Sequence, residues 1–85
     1  MITFNYMISD VSGLHARNAL QIARAAEGYQ CSIKVSSGGK TANGKQVLSL
    51  IGLAAKTGAE LAFSLEGEDE EEAAAYVQAL VKEVV

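Results

Sequence analysis

The chain has 85 residues, 49% of them hydrophobic and 20% charged, with a net charge of −3, no Trp, no Pro, one His and one Cys. That size suits one domain over residues 1–85 with a mostly aliphatic core, and the composition excludes a disordered chain. A lone Cys31 excludes an intramolecular disulfide, one His and one distant Cys leave no tetrahedral zinc site, and no apolar run approaches the ~18 residues of a membrane span.

In chain order, Ile2, Phe4, Tyr6 and Ile8 alternate with Thr3, Asn5 and Met7, the pattern of a half-buried strand. Ser9–Gly13 reads as a polar loop. From Ala16 to Glu27 the apolar positions Ala16, Ala19, Leu20, Ile22, Ala23 and Ala26 fall mainly at helical spacing, while Arg17, Gln21 and Arg24 line another face. Gly28 is placed for a left-handed cap. Ile33 and Val35 mark a second strand over 32–36, and Ser37-Gly38-Gly39 predicts a tight reversal into a third over 40–42.

Residues 46–53 form a short apolar segment in which Val47, Leu48, Leu50, Ile51 and Leu53 exceed what one buried face needs. A short helix with a partly exposed apolar patch is expected. Gly58 precedes a strand whose Leu61, Phe63 and Leu65 point inward. Asp69 is a suitable N-cap for a last helix whose first turn holds Glu70, Glu71 and Glu72, and whose buried stripe is Ala73, Val77, Leu80, Val81 and Val84. The order β-α-β-β-α-β-α predicts an α+β fold: four strands in a mainly antiparallel sheet, with three helices on one face. The acidic run from Glu66 to Glu72 reads as a loop and a dipole-stabilised helix start, not a metal site.

Charge is unevenly spread. Arg17, Arg24, Lys34, Lys40, Lys45 and Lys56 face only Asp10 and Glu27 up to residue 58, a local balance of +4. Residues 59–85 hold Lys82 against eight acids, a balance of −7. The basic part suits acidic partners or phosphate, whereas so few cations without interleaved aromatics do not suit nucleic acid.

His15 stands where the polar loop gives way to the first helix. Backbone N–H groups of Ala16, Arg17 and Asn18 should point toward it, and a helix start attracts anions through unpaired donors and dipole together. Arg17 adds a permanently charged planar guanidinium suited to phosphate. The same positive surroundings favour a neutral, nucleophilic imidazole that could attack phosphorus, while Gly13 gives the loop steric freedom and room for a partner to approach. Cys31 reads as packing, Gly44 as a turn glycine, and Lys45 as a docking or solvated cation.

With these residues in view, the sequence resembles the HPr family, the histidine-containing phosphocarriers of the bacterial phosphoenolpyruvate-dependent sugar phosphotransferase system. Gly13-Leu14-His15-Ala16-Arg17 matches the family's active-site segment. Gly39-Lys40, Lys45, the run Val47–Leu53, Gly58-Ala59-Glu60 and Glu66-Gly67-Glu68-Asp69 fall in register without insertion. The resemblance implies an open-faced β-sandwich in which His15 accepts phosphate from phosphorylated Enzyme I and passes it to EIIA domains. Arg17 would stabilise the phosphoryl group, and Leu20, Gln21, Arg24, Val47, Leu48 and Ile51 would form the docking surface. A cytoplasmic monomer without metal or other cofactor, and without membrane insertion, is expected.

Two positions depart from the family pattern. Asn18 stands where Pro usually follows the active-site Arg; it is expected to loosen the first helical turn and supply a further donor. Gln46 stands where many members carry a regulatory serine, and Gln has no hydroxyl to phosphorylate. Ser49, three residues on, presents a different face and height. These departures leave two alternatives: an HPr-like paralogue serving a dedicated pathway, or a regulatory binding module that contacts partners without phosphoryl transfer.

Overall fold

The computed structural model describes residues 1–85. Its elements are β1 (Ile2–Met7), α1 (Ala16–Glu27), β2 (Ser32–Ser37), β3 (Lys40–Asn43), α2 (Val47–Ile51), β4 (Glu60–Glu66) and α3 (Glu70–Val84). The strands lie in the order β1-β4-β2-β3, and every neighbouring pair is antiparallel. The last strand of the chain is thus inserted between the first two, a long-range arrangement that alternation within a strand does not encode. Helices pack over one face, giving the expected α+β open-faced architecture.

Register explains the core. Phe4 pairs with Phe63, Phe63 with Val35, and Val35 with Ala42, so one row of apolar side chains crosses all four strands. Phe4 and Phe63 stack with centroids 4.7 Å apart and planes inclined by 8°. Ile33, Val35, Leu61, Phe63 and Leu65 are buried, and burial of such side chains is worth about 1.5–3 kcal/mol each. The opposite face carries Thr3, Asn5, Lys34, Thr41 and Asn43, all exposed. Gly38 and Gly39, at φ +57° and +83°, form the two-residue turn between β2 and β3 that two left-handed residues permit.

Four details differ from the sequence reading. Gly28 caps α1 at φ −70°, not in the left-handed region. The chain leaves the helix through tight bonds from Gly28 N–H to Ala25 O and Tyr29 N–H to Ala26 O. Asp69 occupies the N-cap position of α3 but its carboxylate does not cap that helix. It accepts instead from Gln30 N–H at 2.8 Å and Cys31 N–H at 2.9 Å, because β2's entry offers two N–H groups within its reach. The buried stripe of α3 comprises Ala73, Ala74, Val77 and Val81, while Leu80 and Val84 are only half-buried. Small Ala74 replaces Leu80 in the stripe, on a helix that packs against the alanine-rich α1. Finally, α2 is shorter than read, and Leu53 is buried in the turn after it.

Lys45 is neither a free docking cation nor merely solvated: its Nζ donates to Tyr29 O at 2.7 Å, tying the approach to α2 to the segment after α1. Cys31 is buried, and burial pushes its thiol up from the ordinary range, as a packing residue requires. No helix is long and apolar enough to cross a membrane.

Candidate functional site

The loop from Ser9 to Leu14 is clamped on three sides. Ser9 and Asp10 donate their N–H groups to Val85 O at 2.8 and 2.6 Å. Asp10 then closes the turn twice, its Oδ1 accepting from Ser12 N–H at 2.8 Å and its backbone O from Gly13 N–H at 2.9 Å. Gly13 sits at φ +70°, where a Cβ would lie 2.6 Å from Ala55 O and 2.8 Å from Lys56 Cα. The glycine therefore serves the chain's own packing: its buried backbone lies against the turn after α2, not open for a partner as the sequence reading had it. Leu14 follows, buried, with its N–H on Ala55 O at 2.9 Å.

His15 is the N-cap of α1, in extended conformation, with its ring about one-third exposed. Nδ1 faces the helix and accepts from Arg17 N–H at 3.3 Å. Ala19 N–H makes the first intrahelical bond, to His15 O at 2.9 Å, so the amides of Ala16, Arg17 and Asn18 precede the regular ladder, as expected for a helix start. Nε2 faces the other way, 3.4 Å from Asp10 Oδ2. Asp10's carboxyl is held below the usual carboxylate range, chiefly by Ser12 N–H, against the opposing effect of burial, with a lesser contribution from the bond to His15.

Asn18 does the reverse of loosening this turn. Its side chain is 1% exposed; Oδ1 accepts from His15 N–H at 2.8 Å, completing a capping box. Its Nδ2 donates to Gly13 O at 3.0 Å and, more weakly, to Val84 O at 3.5 Å. One buried amide thus joins the loop, the N-cap and the end of α3. An amide at this helical position can reach back to the N-cap, which a proline ring cannot do.

Arg17, Leu20, Gln21 and Arg24 are all exposed on α1, which packs against α2. On α2, Leu48 is 83% exposed, with Val47 and Ile51 half-buried, so the expected apolar excess is present at the surface. Gln46 is the exposed N-cap residue of α2 and makes no side-chain capping bond. Ser49 Oγ accepts from Asn43 N–H at 2.9 Å, which engages it in holding the turn into α2. No three His, Cys, Asp or Glu side chains converge in a metal-binding group.

Asp10 and the side chain of Asn18 are absent from the residues singled out by sequence. A signal existed for each: Asp-x-Ser in a polar loop is an Asx-turn pattern, and a polar residue three positions after an N-cap is half of a capping box. The backbone of Ala54–Lys56, which floors the loop, left no such signal.

Similarity to known proteins extends over nearly the whole chain. Residues 2–83 match the family model described as the PTS HPr component phosphorylation site. The phosphocarrier protein HPr of Haemophilus influenzae is 40% identical over 70 residues, 82% of each chain. Among solved structures, a Mycoplasma histidine-containing phosphocarrier protein superposes with a TM-score of 0.94 at 28% identity, over 96% of this chain and 93% of that one. The Bacillus subtilis catabolite-repression protein Crh, solved as a domain-swapped dimer, gives a TM-score of 0.77 at 32% identity, over 100% and 98%. With the match spanning nearly all of its length, the chain belongs to the HPr family of phosphocarriers of the phosphotransferase system.

Proposed function

We propose that this protein carries a phosphoryl group on His15, taking it from phosphorylated Enzyme I and passing it to EIIA domains in sugar uptake. The observation that carries this reading is the orientation of His15, whose Nδ1 lies at the start of α1 within reach of a backbone N–H. A phosphoryl group bound there would meet the amides of Ala16, Arg17 and Asn18 and the positive end of the helix dipole. Arg17 would supply charge stabilisation as negative charge shifts onto the transferred oxygens. Leu20, Gln21, Arg24, Val47, Leu48 and Ile51 would form the docking face, with apolar contact from α2 and positive charge from α1.

The remaining expectations fit this role. Transfer needs no metal or other cofactor, because the donor protein supplies the activated phosphoryl group. Without a hydroxyl at Gln46, kinase control at that position is lost. The four-stranded sheet is completed within one chain, and the carrier is read as a monomer acting in the cytoplasm, in contrast to the swapped Crh dimer.

Incubation with the cognate Enzyme I and phosphoenolpyruvate should add one acid-labile phosphate, read as a single mass increment. His15→Ala should abolish it, and Arg17→Ala should slow transfer while leaving the urea midpoint unchanged. Absence of labelling with the cognate Enzyme I would refute the carrier reading and favour a binding module.

A further inference from the structure

We propose that Asp10 is the positioning residue for His15: its carboxylate holds the ring proton on Nε2, leaving the lone pair on Nδ1, and it balances the charge the ring acquires on phosphorylation. The proposal rests on the reading of His15 as phosphoryl acceptor. It begins from the two contacts of the imidazole. Asp10 Oδ2, an acceptor, lies 3.4 Å from Nε2, and Arg17 N–H, a donor, lies 3.3 Å from Nδ1. Both are satisfied by one tautomer, with hydrogen on Nε2 and none on Nδ1. In the other tautomer a lone pair would face the carboxylate and an N–H would face an N–H. The partner of one ring nitrogen thus decides the state of the other.

Asp10 is built to hold this position. Its Oδ1 is anchored by Ser12 N–H, its own N–H by Val85 O and its carbonyl by Gly13 N–H, so little freedom remains to be lost when Oδ2 engages the ring. At 3.4 Å the contact is longer than an ideal charged hydrogen bond, with room to tighten as charge develops.

The consequence for transfer follows from bond and charge balance. The Nδ1 lone pair forms the N–P bond while the donor's bond to phosphorus breaks, its electron pair staying with the donor. Nε2 keeps its hydrogen, so the ring takes a formal positive charge, facing the Asp10 carboxylate. On onward transfer the N–P pair returns to Nδ1 and the ring leaves as neutral imidazole. A ring that had lost the Nε2 proton would have to leave as imidazolate, a much poorer leaving group. Asp10 therefore assists both directions of the exchange.

The test compares wild type with Asp10→Asn, which keeps an acceptor oxygen for Ser12 N–H, and Asp10→Ala, which removes both oxygens. Long-range 1H–15N spectra of the unphosphorylated protein report which ring nitrogen carries hydrogen, and quenched-flow labelling with Enzyme I and phosphoenolpyruvate reports transfer. Wild type should show hydrogen on Nε2. Both variants should move the ring signals toward a mixture of tautomers and slow transfer roughly two- to fivefold, the size of a partly exposed charge contact. Hydrogen on Nδ1 in wild type, or ring signals and rates unchanged in both variants, would overturn the proposal. If wild type took no phosphate yet its tautomer depended on Asp10, the carrier reading would fall and the positioning role would stand.

Discussion

Replacing Asn18 with alanine would remove the amide that joins three segments around His15. The magnitude can be built from its contacts. Two hydrogen bonds of good length are lost, to His15 N–H at 2.8 Å and Gly13 O at 3.0 Å, with a weaker one to Val84 O. Each good bond contributes about 0.5–1.5 kcal/mol net, and a partner left unsatisfied in a buried site raises the cost to about 1–3 kcal/mol. The bond to His15 N–H is part-buried and that to Gly13 O is buried, so a total of about 2–4 kcal/mol is expected. For a domain of this size that corresponds to a fall in Tm on the order of 10–20 °C. Urea unfolding followed by far-UV circular dichroism gives the free energy, with an unchanged m-value as the sign that the native state is still compact. Asn18→Asp keeps Oδ1 but loses both donors and buries a charge, so it should be at least as unstable as the alanine variant. A loss below about 0.5 kcal/mol for Asn18→Ala would refute the view that this amide holds the site together.

Two further outcomes follow from single groups elsewhere. Ala54 adopts φ +52°, a left-handed conformation costing a non-glycine residue about 1–2 kcal/mol. Ala54→Gly should therefore stabilise the protein by about 0.5–1 kcal/mol after the extra chain entropy of glycine is deducted, and a lower urea midpoint would contradict this. Asp69 has its carboxyl held below the ordinary range, first by Gln30 N–H and also by Cys31 N–H. A depressed carboxylate contributes stability that is present above the unfolded value and lost as pH falls through the folded one. Stability curves of wild type and Asp69→Asn should thus lie apart at pH 7 and converge below about pH 4; parallel curves would refute the clamp.

Much of the fold was legible because its signals are local. The bounds of α1 could be read as Ala16–Glu27 from apolar spacing, and the hairpin from two adjacent glycines, because helical period and turn chemistry act within a few residues. The inward positions of β4 followed from simple alternation. Features decided by distant partners were not legible. Asp69 has the composition of a cap but spends both oxygens on a strand 38 and 39 residues away. The buried face of α3 takes in Ala74 and leaves Leu80 half-buried, because packing against both α1 and the sheet, not hydrophobicity alone, selects what is covered. Insertion of β4 between β1 and β2 likewise depends on pairings that no single segment specifies.

The same distinction runs through the candidate site. His15 and Arg17 were readable, since a histidine at a helix start beside an arginine is a local pattern. What aims the ring was readable only in part: Asp10 and Asn18 sit in local patterns, but the segments that carry them are held from elsewhere in the chain. Ala55 O fixes Leu14, Val85 O fixes the loop containing Asp10, and Asn18 reaches from the helix to Gly13 and Val84. An isolated segment carrying residues 9–24 would have the motif but not the floor beneath Gly13 or the carbonyls of α3's end. Orientation of the imidazole is thus a property of the folded chain. The ring is oriented before any partner approaches, and on the proposed reading Nδ1 has only to exchange its bond from Arg17 N–H for one to phosphorus.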